Sequence, residues 1–76
     1  MNSNNLAKDK ILISFKQNKF KEVIAEGVKL YKQRQNDAQL IYLLGLSSIK
    51  LENFEDAENY FNKLILLKKN LRIYTF

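Results

Sequence analysis

The stretch Ile41-Tyr42-Leu43-Leu44-Gly45-Leu46-Ser47-Ser48, followed after a break by Ala57-Glu58-Asn59-Tyr60-Phe61, decides how this chain folds. Gly45 and Ala57 are small where two antiparallel helices would touch, while Leu44 and Phe61 fill the space beside that contact. Leu40, Ile41, Leu43, Leu44, Leu46 and Ile49 make the first of these helices apolar on more than one face. A helix of that kind is packed on several sides. The rest of the chain has to supply its neighbours.

An earlier copy of the stretch does so. Counting back 34 residues takes Phe54 to Phe20, Leu64 to Leu30, Ile49 to Phe15, Ser48 to Ser14, Lys50 to Lys16 and Leu40 to Leu6. A repeat of that period indicates a stacked helical array. The spacing Ile41-x-x-Leu44-Gly45-x-x-Ser48, with Ala57-x-x-x-Phe61, resembles the helix hairpin of the tetratricopeptide repeat (TPR) family, which has large aromatics where Ile41 and Ser48 stand. The resemblance implies an all-α fold of two antiparallel helix hairpins stacked as a short right-handed α-solenoid. The repeats would cover about residues 4–37 and 38–71, with 72–76 as a tail or the start of a capping helix. The first copy departs further from the family pattern: Lys10 stands where the motif has leucine, and Ala7 where it has the large aromatic.

Composition narrows the function. A chain of 76 residues forms one small domain, and such a domain buries only about 60% of its unfolded surface. It contains no cysteine, which removes disulfides and thiolate metal sites, and no histidine, the usual general base and commonest metal ligand. Proline is absent and glycine occurs twice, which favours helix. No acid–base pair, nucleophile–base set or phosphate-binding loop is present, so neither an enzyme nor a cofactor is expected. No apolar run reaches the roughly 20 residues of a membrane span, and Met1-Asn2-Ser3-Asn4-Asn5 lacks the features of a signal peptide. The expected setting is the cytoplasm, with no membrane partner. Of the net charge of +5, residues 1–37 carry eight basic and four acidic side chains, or +4. That excess is either a solvated lysine-rich surface or an attraction to nucleic acid or another acidic partner. Lysines without arginine clusters argue weakly for specific nucleic-acid recognition.

Four helices are expected, at about residues 5–18, 20–34, 38–51 and 54–68. Asn4 or Asn5 would cap the first, Asn36 or Asp37 the third, and Asn53 the fourth, with Asp56 three residues on. Asn70 is the expected stop, and residues 71–76 would fold back as a partial cap or leave the fourth helix to another subunit or to further repeats. In the 34-residue register Gly27 replaces Phe61 and Ile11 replaces Gly45. The pairing predicts volume compensation at one and the same helix crossing in each hairpin.

The resemblance also implies a concave surface lined by the first helix of each repeat. It assigns Lys8, Leu12, Phe15 and Lys16 to that surface, beside Asn5 and Asp9, and adds Gln39, Tyr42, Leu43, Leu46, Ile49 and Lys50. The family's lysine–asparagine clamp for a carboxylate is matched only at Lys8, because Leu12 and Leu43 stand where the asparagines would be. What remains is an apolar strip edged by lysines, suited to a protein or peptide partner such as an amphipathic helix. Tyr60, Leu64, Ile65, Leu67, Leu71 and Tyr74 make up a second apolar surface, a candidate capping or homodimer interface on the fourth helix. The expected function is a scaffold or adaptor module, complete or part of a longer repeat protein. The alternative is a small basic helical protein that binds nucleic acid.

Overall fold

The backbone of residues 3–74 and the side chains of residues 6–68 are described by a computed structural model. The fold is all-α: helix α1 spans Ser3–Lys16, α2 Phe20–Gln33, α3 Ala38–Lys50 and α4 Phe54–Tyr74, with no strand among the described residues. α1 starts at Ser3, so Asn4 and Asn5 lie inside its first turn and not ahead of it. α4 runs through Asn70, where the sequence suggests a stop. Residues 68–74 hold neither glycine nor proline, and a single asparagine costs a helix only a few tenths of a kcal/mol. The backbone of residues 71–74 therefore prolongs α4 and does not fold back over it.

The turns after α1 and α3 are built alike. Asn18 (φ 62°) and Glu52 (φ 61°) both adopt the left-handed conformation. At the first turn the Lys19 N–H donates to the Ser14 carbonyl (2.9 Å) and the Asn18 N–H to that of Phe15 (3.0 Å). At the second, the Asn53 N–H donates to Ser48 (2.8 Å) and the Glu52 N–H to Ile49 (2.9 Å). Each pair of bonds is a Schellman closure, which satisfies the last carbonyls of the helix and reverses the chain. The two closures lie 34 residues apart, the interval read from the sequence. Three-residue connections then return α2 along α1 and α4 along α3.

Ile11, Val23, Leu30, Leu40, Leu43 and Leu44 form one core, and Ile41 and Ala57 are buried with them. α3 packs against α4, α2 and α1, as its many-sided apolarity requires. A Cβ on Gly45 would lie 2.8 Å from the tip of the Phe61 ring, so the small–large pairing of α3 and α4 is present. Gly27 serves a different crossing from the one expected. Its nearest neighbours are Leu44 and Leu40 of α3, and a Cβ would come within 2.6 Å of the Leu44 Cδ2. Glycine at 27 lets the two hairpins approach each other, and that interface is invisible when each repeat is compared only with its copy.

Helix propensity alone would favour Gly27→Ala by about 1 kcal/mol. Leu44 is completely buried, so any shift of its methyl disturbs packed neighbours, and overpacking of about 1–3 kcal/mol outweighs the propensity gain. Urea unfolding should show Gly27→Ala to be destabilised by about 1 kcal/mol, and in a Leu44→Ala background the added methyl should no longer cost anything. Ser47 is fully buried and its hydroxyl has no hydrogen-bond partner, whereas the neighbouring Ser48 hydroxyl donates to the Leu44 carbonyl at 2.8 Å. Ser47→Ala should therefore raise stability by about 1 kcal/mol in the same assay, since it removes a stranded polar group.

Candidate functional site

The expected binding surface draws on α1 and α3, and these helices pack against each other. α1 contributes Leu12 and Phe15, both half-buried against the core; the Phe15 ring meets Phe20 edge-on at 5.6 Å. α3 contributes Tyr42 and Ile49, exposed at 48% and 41%, and the half-buried Leu46. Gln39, Lys16 and Lys50 are exposed. An α3 apolar all round cannot bury every side chain against three neighbours, and Tyr42 and Ile49 are what remains outside.

Two residues assigned to this surface belong elsewhere. Leu43 is only 5% exposed and sits in the core, because its side of α3 faces the first hairpin. Lys8 is engaged: its ammonium donates to both Asp37 carboxylate oxygens, at 2.9 and 3.0 Å. Asp37 in turn accepts from the Leu40 N–H at 3.1 Å, which makes it the N-cap of α3, and the Arg34 guanidinium lies 3.6 Å away. One carboxylate thus ties α1, the end of α2 and the start of α3. The lysine that looked like a ligand clamp is a structural tie.

The second surface changes as well. Tyr60 packs edge-on against Tyr31 of α2 at 6.1 Å and touches the core, so it belongs to the contact between hairpins. Leu64 and Leu67 are half-buried and Ile65 is 51% exposed. Leu71 and Tyr74 lie outside the described side chains. The Tyr42 ring meets Phe61 edge-on at 6.2 Å, which joins the outward sides of α3 and α4.

Sequence reasoning missed two hollows. One of about 530 Å³ lies along α1 and α2 and is lined by Lys10, Ile13, Ser14, Gln17, Glu22 and Glu26, among others. The other, of about 350 Å³, is formed at the turns by residues including Lys19, Phe20, Lys21 and Leu51. The signal for the first was Lys10, a charge where the second copy has Leu44. Among the described residues no cluster of carboxylates could hold a metal ion, and no helix is long and apolar enough to cross a membrane. Comparison with family models, curated proteins and solved structures returned no match.

Burial raises the Asp37 pKa, but the Lys8 hydrogen bond, the Leu40 N–H and the charges of Lys8 and Arg34 outweigh it. The net result is a value below the ordinary 3.8. A carboxylate with a depressed pKa stabilises the fold above its unfolded pKa and loses that contribution as pH falls through the folded value. Asp37→Asn should therefore flatten the loss of stability below about pH 4 relative to wild type, measured by thermal unfolding across pH. Asp37→Ala should cost about 2 kcal/mol at neutral pH, since it also removes the cap and strands Lys8.

Proposed function

We propose that this protein is a TPR-like interaction module, a cytoplasmic scaffold or adaptor that binds a peptide or helix on the apolar side of α1 and α3. The observation that carries this reading is the exposure of Tyr42 and Ile49 on a helix whose other large apolar side chains are buried or half-buried. Burying a side chain of that size is favourable by about 1.5–3 kcal/mol, so a partner that covers both gains binding energy from them. Lys16 and Lys50 at the edge suit a partner with acidic flanks. The Schellman turns 34 residues apart support the repeat assignment.

Selection from a displayed library of random helical peptides, followed by fluorescence anisotropy on the selected binders, tests the reading. Binders should lose about tenfold or more in affinity against Ile49→Lys, with the fold intact by circular dichroism. A tenfold rise in salt should change their Kd by no more than about threefold, because the contact is mainly apolar. Affinity for oligonucleotides that exceeds that for peptides and falls steeply with salt would support the nucleic-acid alternative instead.

A further inference from the structure

The matching turns at Asn18 and Glu52 put residues 34 positions apart in equivalent places in the two hairpins. The contact between the hairpins is therefore a template for the surface beyond α4. In the first hairpin, five residues seat α3. Gly27 admits Leu44 and Leu40, Leu30 joins their core, Tyr31 meets Tyr60, and Lys8 and Arg34 hold the carboxylate at the N-terminus of α3. In the second hairpin the same five places are taken by Phe61, Leu64, Ile65, Tyr42 and Lys68.

Among the described residues nothing covers that second seat. Ile65 is 51% exposed, Tyr42 48%, and Lys68 is exposed, while Phe61 and Leu64 are half-buried. α2 ends at Gln33, but α4 continues as helix to Tyr74, through the place equivalent to the break after α2. The backbone as far as Tyr74 does not turn back across this face.

We propose that this face seats one amphipathic helix of a partner protein, with a carboxylate at its N-cap and alanine or glycine where α3 has Leu44. The carboxylate requirement follows from Lys68, 34 positions after Arg34 though still within α4, and from the Tyr42 hydroxyl at the position of Lys8; both can donate, as the cations around Asp37 do. The small residue follows from Phe61, whose Cβ stands where one on Gly27 would come within 2.6 Å of the Leu44 Cδ2, while its ring lies against Gly45. A leucine arriving there would meet a side-chain carbon instead of a hydrogen atom. Leu40 and Leu44 are the third and seventh residues after Asp37. The partner helix therefore reads acidic-x-x-apolar-x-x-x-small.

A second copy of this chain, docked head to tail, matches the seat poorly. Its α1 would bring Lys10 to the place of Leu44, and its α2 would bring Glu26 to that of Tyr60. Both are charges that an apolar interface leaves unpaired. The inference rests on the equivalence of the two hairpins; it shares Tyr42 with the α1–α3 surface proposed above but not Ile49, so Ile49→Lys and Ile65→Glu distinguish the two.

Two synthetic peptides spanning residues 36–51 of this chain, one natural and one carrying Leu44→Ala, serve as probes in fluorescence anisotropy against the full chain. The alanine peptide should bind, and the natural one at least about tenfold more weakly, because its leucine overpacks against Phe61. Ile65→Glu should abolish binding, Lys68→Glu should weaken it about fivefold or more, and Ile49→Lys should leave it unchanged. Both Ile65 and Lys68 are solvent-exposed, so circular dichroism should show these variants folded. Equal binding of the two peptides, no binding of either, or sensitivity to Ile49→Lys in place of Ile65→Glu overturns the proposal. So does a dimer in light scattering that Ile65→Glu dissociates, since a second copy would then be the occupant.

Discussion

Leu44 lies so near the Cα of Gly27 that one added carbon would come within 2.6 Å of its methyl. This close approach lets α3 sink between the first hairpin and α4, and the remaining structure follows from it. Leu40, Ile41 and Leu44 are all completely buried. At about 1.5–3 kcal/mol for each such side chain, three residues of one helix supply roughly 5–9 kcal/mol before entropy is counted. That is comparable with the entire net stability of a small domain, about 5–15 kcal/mol. A chain without cysteine has no disulfide to help, and it depends on α3 being covered by three neighbours at once.

Apolar burial has no direction, so the core alone does not say how far along its axis α3 should sit. The Asp37 cluster supplies that information. Its carboxylate caps α3 through the Leu40 N–H while accepting two hydrogen bonds from Lys8 of α1. The two jobs can be done together only when the N-terminus of α3 lies beside the middle of α1. Side-chain exposures of 13% for Asp37 and 19% for Lys8 keep the pair drier than a surface ion pair while leaving part of each charge solvated. The full penalty of a buried charge pair is thereby avoided.

Much of this was legible in the sequence because it is local. The helix spans follow from periodicity, the break at Asn36-Asp37 from cap chemistry, and the Gly45–Phe61 pair from spacing within one hairpin. What was not legible depends on contacts between hairpins. Lys8 and Asp37 are 29 positions apart, so Lys8 read as an exposed lysine until its partner was in place. Leu43 and Tyr60 likewise gave no sign of facing the first hairpin, since an apolar side chain suits a groove as well as a core. Gly27 was recognised as a packing glycine, but its partner lay on the following hairpin. The run of α4 past Asn70 was lost to the weakness of a single asparagine as a stop signal.

The two outward faces of the molecule differ because each repeat position is a choice between an internal contact and water. Lys10 and Glu26 line the hollow along α1 and α2, and the equivalent places in the second hairpin hold Leu44 and Tyr60, which pack on the first. Charge there suits the first hairpin's outer side to water, although Leu6 and Ile13 remain exposed nearby. At the opposite end the substitution runs the other way. Phe61 and Ile65 replace Gly27 and Tyr31 and keep the seat apolar, where lysine or glutamate would have closed it. A face meant only for water gains nothing from such side chains, and their exposure carries an aggregation hazard. Their presence beside Lys68, 34 positions after the arginine that the first hairpin sets near a helix N-cap, is what a seat for one further helix requires.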